Sequence, residues 1–330
     1  MTRIQFQQTA ETFRVEEELF YEPSGSGPYI FVKIQKRNCS TAFVKRKISE
    51  WTGTPLKHIR HAGMKDTLAT AIQWLSWPES CQKRPLDAPA NCLDDIVVLE
   101  QTRHENTLAL GHVGLNNFHI KLSCDGPVED WPDWQGVFPN YYGEQRFGGK
   151  LKDVETRVQE LMDVGKDRFA LSQLQSLLFN NWLRHRLTVN GGQPQADDLW
   201  TATNGKRFFE TELDDSMLAR FKAGEVVPTG PIYGYKNRHT PEELQFLSQF
   251  NLEPESFRKW GKIARGARRP LYAKPTIDFA EQQGENFHLK FSLPSGSYAT
   301  VFLIHKFLPQ KLEEEGEPVD FTQTTLLKMD

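Results

Sequence analysis

Apolar and polar residues alternate near both ends of the chain, whereas its middle follows the helical period. Segments 29–36, 115–122 and 289–293 show the two-residue period of half-buried strands. Segments 154–165 and 171–190 instead repeat apolar residues every three to four positions, as one face of a helix does. The chain therefore has sheet-rich ends around a helical centre.

Cap residues, prolines and glycines indicate where these elements begin and end. A helix is expected from Ser40 or Thr41, and Gly53 is suited to its C-terminal cap. Segment 78–95 is polar and contains proline, so we expect a loop. Segment 125–140 is irregular and rich in proline and tryptophan, and it is a candidate domain boundary.

Length and charge bound the class of protein. The 330 residues suffice for two domains, or for one domain with a large insertion. The net charge is −3, so any nucleic-acid surface must be a local patch. No apolar run approaches the roughly 18 residues that span a bilayer, and the N-terminus lacks a signal-peptide layout. The four scattered cysteines form no zinc or redox motif, which indicates a reduced, cytoplasmic protein.

Segment 61–75 contains the main candidate for chemistry. Gly63 precedes Lys65 and Asp66, and an apolar segment follows them. We expect a turn that presents the Asp66 carboxylate, with Lys65 and His61 nearby to keep it ionised. The same pattern is also typical of a surface turn with a solvated charge pair.

Two further stretches indicate nucleic-acid contacts. In segment 139–150 aromatic residues, amides, glycines and Arg146 interleave, which suits base stacking and phosphate binding. A boundary loop fixed by buried tyrosines would look similar. In segment 116–118, Phe118 at a strand edge would suit base stacking, although a phenylalanine in a strand is usually a core residue.

Segment 257–274 is strongly basic. It has no acidic residue, and such clustering in a net-acidic protein favours a polyanionic partner. A solvated basic helix face is the alternative. We expect Arg265, Arg268 and Arg269 to hold an RNA backbone; the cations of the run are Arg258, Lys259, Lys262, Arg265, Arg268, Arg269 and Lys274.

The order of these motifs resembles the TruD-type tRNA pseudouridine synthases. The likeness runs from about Phe13 to the region of Tyr298. It consists of Gly-x-Lys-Asp followed by Gln-Trp-Leu, then Asn-x-Phe, Pro-Asn-Tyr-x-Gly-x-Gln-Arg-Phe-Gly and Leu-Pro-x-Gly-Ser-Tyr-Ala-Thr. All four blocks occur in the family's order.

The resemblance implies an α+β fold. A pseudouridine-synthase catalytic domain with a mixed or antiparallel sheet would comprise residues 1–135 and 271–330. A mostly helical insertion domain, 136–270, would split it. The implied activity is isomerisation of uridine to pseudouridine in tRNA, at position 13 in bacterial members. It implies no metal or organic cofactor, no membrane and no obligate protein partner.

The resemblance also assigns site residues. Asp66 corresponds to the catalytic aspartate, acting as nucleophile or as base, and the sequence leaves both routes open. Phe118 would stack on the target base beside Asn116, and Tyr298 would form a second aromatic wall. Lys65 and Gln73 would complete the substrate contacts. The expected RNA contacts are Arg146, Arg258, Lys259, Arg265, Arg268 and Arg269.

Some positions depart from the family pattern. Thr67, Ala71, Ser40 and Gln7 each replace a charged or hydrogen-bonding residue that members commonly carry near the site. An RNA-binding or RNA-chaperone protein of the same fold, with little or no synthase activity, therefore remains an alternative. A hydrolase that uses Asp66 and His61 as an acid–base pair is a second one, without a further catalytic motif to support it.

Overall fold

The structure is a computed structural model that describes residues 3–86, 94–128, 131–143, 146–147, 153–205, 207–313 and 325–327. Parts of the predicted loop 78–95 and of the motif 139–150 lie outside these ranges. Among the described residues, no helix combines the length and the apolar character needed to cross a membrane.

The described elements are numbered in chain order. The strands are β1 (Ile4–Phe6), β2 (Phe13–Leu19), β3 (Tyr29–Arg37), β4 (Arg60–His61), β5 (Thr70–Pro78), β6 (Ile96–His104), β7 (Val113–Cys124), β8 (Phe138–Pro139), β9 (Trp200–Ala202), β10 (Phe208–Phe209), β11 (Val226–Ile232), β12 (Ala267–Pro270), β13 (Tyr272–Ala273), β14 (Thr276–Gln283), β15 (Asn286–Pro294) and β16 (Thr325–Leu327). The helices are α1 (Thr41–Thr52), α2 (Val154–Asp163), α3 (Arg168–Asn190), α4 (Asp215–Lys222), α5 (Pro241–Ser248), α6 (Ala299–Phe307) and α7 (Gln310–Glu313). The 3-10 segments are Leu56–His58, Glu79–Cys81 and Pro254–Ala264.

Strands from both ends of the chain form one large sheet. Its order is β14-β15-β7-β2-β5-β3-β6, with β1, β4 and β16 added at the sides. The pair β2–β5 is parallel, and the other pairs are antiparallel. The expected α+β fold with a mixed sheet is therefore confirmed. The sheet also supports the proposed division into 1–135 with 271–330 and 136–270, which stays a proposal.

Two helices cover one face of the large sheet. Helix α1 begins where the Ser40 hydroxyl accepts a hydrogen bond from the Phe43 amide. It ends at Gly53, whose left-handed φ of 69° favours glycine. The apolar side of α1 packs on β3 and β5, while α6 packs over β7 and β15. The predicted helix cap and end at Ser40 and Gly53 are confirmed.

The middle of the chain is more than helical. Helices α2 to α5 accompany a second sheet of order β10-β9-β11-β12, which the sequence pattern did not predict. Segment Val226–Ile232 contains Pro228, Gly230 and Pro231, residues that normally weaken a strand assignment. Long helix α3 shares a continuous apolar core with α6, so the middle packs directly against one end of the large sheet.

A buried ion pair stabilises the middle region. Arg186 and Asp198 have side chains only 2% and 4% exposed, joined at 2.7 Å. Replacing Asp198 with alanine leaves the Arg186 charge buried without its partner. We therefore expect the free energy of unfolding to fall by about 3–5 kcal/mol. Urea unfolding measures this change.

The matched control is Glu225→Ala, because Glu225 pairs with Arg220 at the surface, where the side chains are 60% and 45% exposed. This variant should lose less than about 1 kcal/mol. Equal losses for the two variants would contradict the assignment.

Candidate active site

A band of polar side chains crosses the sheet face that α1 and α6 cover. The register aligns Lys36 with Ala71, and it aligns Glu17 with Asn116. Gln73 lies beside Glu17 on the same face, because alternate side chains of a strand point the same way. The band separates the apolar cluster under α1 from the one under α6. It is thus a polar gap in an otherwise apolar face.

Lys36 anchors the loop that contains Asp66. Its side chain is buried, and its ammonium donates hydrogen bonds to the main-chain oxygens of Asp66 and of Cys39, the latter at 2.7 Å. Burial lowers the pKa of Lys36, while nearby Cys39 and the Asp66 carboxylate oppose that shift. Our sequence analysis missed Lys36. The two-residue period that buries Ile34 also points Lys36 inward, which was the available signal.

Lys65 is bound to a different carboxylate from the one expected. Its ammonium lies 2.8 Å from Glu17 Oε2, with side chains 6% and 0% exposed. Burial raises the pKa of Glu17, and Lys65 is the main opposing influence. The Trp74 amide also donates to this carboxylate. Lys65 is therefore engaged with Glu17 rather than with Asp66, and its contact with substrate stays a prediction.

His61 does not supply a positive charge either. Burial, followed by the positive charge of Lys45, lowers the pKa of His61, so the imidazole is neutral at pH 7. Its Nδ1 lies 3.2 Å from the Gly63 carbonyl oxygen. Gly63 itself has no left-handed φ, and a Cβ there would meet only ordinary contacts. The turn therefore does not depend on glycine at this position.

Gln73 holds the loop through Thr41. The Thr41 hydroxyl donates to Gln73 Oε1 at 2.9 Å and accepts from the Lys65 amide at 3.2 Å. The Gln73 side chain is fully buried, so its expected contact with substrate does not fit this geometry. Gln73 fixes the backbone next to Asp66 instead.

Tyr298 packs against the segment that contains Tyr142 and Gly143. It precedes α6 and meets the Tyr142 ring edge to face, with centroids 6.2 Å apart. A Cβ on Gly143 would approach the Tyr298 ring to 2.7 Å, so only glycine fits between the two tyrosines. Close packing against Tyr298 thus explains the glycine of the Tyr-x-Gly motif.

The charges around Tyr298 include Asp66. Burial raises the pKa of Tyr298; Arg269 and Arg146 lower it, and the Asp66 carboxylate adds to the rise. Of these charges, that of Asp66 has the smallest effect on Tyr298. Asp66 itself is half-buried in the loop between β4 and β5.

Arg269 is an internal connector. Its guanidinium donates to Asn140 Oδ1 at 2.8 Å and to the Gly296 oxygen at 2.9 Å, and it packs 4.0 Å from the Tyr142 ring centroid. The Ser297 hydroxyl lies 2.9 Å from the same Asn140 oxygen. These contacts join the segment before Gly143 to the start of α6. They would have to break before Arg269 could bind a phosphate.

Arg268 is also internal. Both of its terminal nitrogens lie 2.7 Å from the Glu243 carboxylate, and both side chains are 2% exposed. Burial opposes ionisation of Glu243, but hydrogen bonds from His239 and Arg268 bring its pKa below the usual value. We therefore remove Arg268 and Arg269 from the predicted RNA contacts. A sequence cannot distinguish a buried arginine from an exposed one within a basic run.

The other predicted RNA contacts reach the surface. Arg258, Lys259 and Arg265 are exposed, although Arg258 pairs with Glu255 at 2.6 Å. Arg146 is half-buried and bound through serine hydroxyls to α3. Lys259 also donates to the main-chain oxygen of Met162. Binding of a polyanion by these four residues stays a prediction.

Phe118 and Asn116 lie at the edge of the polar gap. The Phe118 ring is stacked on Phe291 with centroids 5.2 Å apart and is 8% exposed, so it forms part of the core here. Its stacking on a base stays a prediction. Asn116 Oδ1 is buried and accepts no hydrogen bond from the described part of the chain. It is an acceptor oriented for a donor that the protein does not supply.

A cavity of about 250 Å³ adjoins the segment that precedes α6. Asn140, Arg269 and Ser297 line it on the side of α6, and Asn204 and Phe208 line it on the side of the small sheet. It is therefore a recess between the two sheets. The described residues contain no cluster of three or more His, Cys, Asp or Glu side chains that would hold a metal ion.

The pair Lys65–Glu17 should control the stability of the loop. Lys65→Met leaves the Glu17 carboxylate buried without its cation, so we expect a loss of about 3–5 kcal/mol in the free energy of unfolding. Adding Glu17→Gln to this variant should recover part of the loss, because it removes the stranded charge. Urea unfolding of both variants measures the difference.

Lys57→Met serves as control, since Lys57 is exposed. It should change the free energy of unfolding by no more than about 0.5 kcal/mol. A similar small effect for Lys65→Met would contradict the buried ion pair.

Sequence comparisons give a consistent family. The family model described as tRNA pseudouridine synthase D (TruD) matches residues 2–162 and 153–305. A protein named tRNA pseudouridine synthase D from Anaeromyxobacter dehalogenans (strain 2CP-C) is 32% identical over 317 residues, which cover 89% of this chain and 90% of the relative. One of the same name from Thermus thermophilus is also 32% identical, over 93% of this chain and 90% of the relative.

A solved structure gives the same fold. The crystal structure titled putative tRNA pseudouridine synthase D (TruD) from Methanosarcina mazei superposes with a TM-score of 0.61 at 20% sequence identity. The alignment covers 92% of this chain and 93% of that chain. The structural similarity therefore extends over the large sheet and the middle region.

Proposed function

Because the chain belongs to the tRNA pseudouridine synthase D (TruD) family, we propose that it converts a uridine of tRNA, at position 13, into pseudouridine. Asp66 is the catalytic residue in this proposal. The observation that carries it is the anchoring of the Asp66 loop, because the buried ammonium of Lys36 binds the Asp66 main-chain oxygen at the polar gap. In the proposal, the Asp66 carboxylate and Tyr298 would border one space.

The reaction needs a carboxylate and a shielded space. The bond between ribose C1′ and uracil N1 breaks, the detached uracil turns, and C1′ bonds to C5. C5 loses its hydrogen and N1 gains a proton, so the atoms balance without a co-reactant. Ionised Asp66 would attack C1′ or remove a proton to expel uracil; both routes need the same position.

The polar gap would receive a flipped nucleotide. Extruding a base from a structured RNA costs about a few kcal/mol, which contacts in the pocket must offset. Tyr298 and Tyr142 supply aromatic surface at one side. The unpartnered Asn116 Oδ1 would accept the N3–H of uracil, and Phe118 lies next but one along the same strand.

Lys36, Lys65 and Gln73 act as positioning residues in this proposal. Each binds the backbone or a buried partner of the Asp66 loop. The attraction between Lys36 and the Asp66 carboxylate favours the charged form of both groups. Lys36 therefore favours the ionised Asp66 carboxylate, and all three residues hold the loop in place without touching the base.

The tRNA backbone would follow cations of the middle region. These are the exposed Arg258, Lys259 and Arg265 and the half-buried Arg146; the internal Arg268 and Arg269 are omitted. We keep the cytoplasm as the proposed compartment, in line with the free thiols of Cys39, Cys81 and Cys124.

Asp66→Asn tests the catalytic assignment. The amide keeps the shape of the side chain but removes its charge, so we expect pseudouridine formation to fall by at least about 100-fold. Release of tritium from tRNA labelled at uracil C5 measures turnover, and carbodiimide mapping gives the position. The affinity for tRNA should change little.

Thr67→Ser is the matched control in the same loop and should retain activity. Normal turnover by Asp66→Asn would contradict the catalytic role. Absence of turnover by the wild-type protein, with tRNA binding retained, would favour the alternative of an RNA-binding or RNA-chaperone protein.

A triple substitution tests the predicted tRNA-binding surface formed by Arg258, Lys259 and Arg265. Replacing all three with glutamine should weaken tRNA binding at low salt and reduce the slope of log affinity against log salt by about 1–3. Filter binding over a salt series measures both quantities. Turnover at saturating tRNA should be preserved, because none of these residues lies at the polar gap.

The control replaces Arg46, Lys57 and Arg103 with glutamine, three cations around α1 and β6. It removes the same charge from another surface and should leave the slope nearly unchanged. Equal slopes for the two triple variants would exclude a specific role for the predicted surface.

A further inference from the structure

The opposite face of the large sheet contains a cavity of about 230 Å³. Arg14 lies between Phe13 and Val15, which point into the core, so its side chain points to the other face. The register aligns Arg14 with Thr70 and with His119. The cavity is thus separated from the polar gap by the sheet; its lining is Ala10, Glu11, Arg14, Thr70, His119, Lys121 and His288.

Two cations in this lining lack a partner. Arg14 is exposed and Lys121 is half-buried. Neither side chain makes a hydrogen bond or ion pair with any other residue in the described ranges. Lys290 lies in the same row as His119 and packs 5.0 Å from the Phe279 ring centroid. Positive charge is therefore concentrated in this lining.

The acidic residue of the lining is already engaged. Glu11 forms an ion pair with Arg37, and hydrogen bonds from Thr9 and Arg37 lower the pKa of Glu11. Its carboxylate is therefore neutralised by a residue outside the lining. It does not balance Arg14 or Lys121.

A pair of histidines completes the cavity. His119 Nε2 lies 3.1 Å from His288 Nδ1, so one imidazole donates to the other. Burial lowers the pKa of His119, and the positive charges of Lys290, His288 and Arg14 lower it further. His119 therefore favours its neutral form, and a bound negative charge would favour its protonation.

We propose that this cavity binds a tetrahedral oxyanion of the phosphate class. Arg14 and Lys121 supply charge-assisted donors from β2 and β7, and the histidine pair supplies N–H groups from β7 and β15. The volume accommodates such an anion. Since the site lies behind the sheet, it is independent of the proposed catalysis.

Binding at this site takes up protons. The anion stabilises imidazolium, so affinity rises as pH falls through the histidine range. The charges that face the pair are those of Arg14, Lys121 and Lys290, opposed by Glu281 across from His288 on β14 and by Glu11 at the rim. The pH dependence therefore belongs to the imidazole of His119.

Sulfate is the first probe, because its charge is constant over the histidine range. Calorimetric titration at constant ionic strength should show tighter binding at about pH 6 than at about pH 8. Arg14→Gln with Lys121→Gln should weaken binding at least about tenfold. The control Lys33→Gln removes a cation from the same sheet face outside the cavity and should bind as the wild type does.

Thermal unfolding in sulfate against chloride is a second readout. The wild type should gain more than the double variant, which isolates site binding from the general stabilising effect of sulfate. Equal sulfate affinity in the wild type and the double variant would overturn the proposal, as would the absence of sulfate binding by the wild type.

tRNA distinguishes the source of the phosphate group. A smaller salt slope of tRNA binding for the double variant than for Lys33→Gln, together with lost sulfate binding, identifies the RNA backbone as the ligand. An unchanged slope with lost sulfate binding identifies a free phosphate-class anion. Either result supports the site.

Discussion

A lysine ammonium buried in a sheet is the constraint on which the site depends. Lys36 cannot be solvated, so it must find oxygen atoms inside the protein, and it finds the carbonyls of Asp66 and Cys39. Lys65 faces the same requirement and meets it with Glu17. Because removing one partner of a buried ion pair costs several kcal/mol, these contacts hold the loop in one conformation. The position of Asp66 is thus a consequence of charge burial.

The packing of helices and of the middle region around the polar band creates the candidate site. Helices α1 and α6 cover the two ends of one sheet face and leave the polar band between them. The middle region then contributes Tyr142, and Arg269 ties that segment to the start of α6 beside Tyr298. Gly143 permits the close approach of the two segments. In the proposed site, the loop between β4 and β5 would supply Asp66, and the middle region would supply Tyr142 beside Tyr298.

The sequence predicted those features that depend on local period and caps. Alternation identified β3, β7 and β15, and Ser40 with Gly53 delimited α1. It did not predict the small sheet, whose strands are short or contain proline. Nor did it predict the partner of Lys65 or the burial of Arg268, because both depend on residues far away in sequence. The basic run contained two kinds of arginine, and only packing separates them. The burial of Lys36 was predictable in principle, because Lys36 lies two residues after the buried Ile34 on the same strand and therefore points to the same face.

The central claim is that the target ribose meets the Asp66 carboxylate at the polar gap. A structure of the Asp66→Asn variant bound to its tRNA measures this most directly, through the distance from the side-chain amide oxygen at position 66 to C1′ of the extruded uridine. The account predicts about 3–4 Å, with uracil between the loop and Tyr298. A ribose bound outside this space, with the uracil in the neighbouring 250 Å³ recess or on the opposite sheet face, would contradict it.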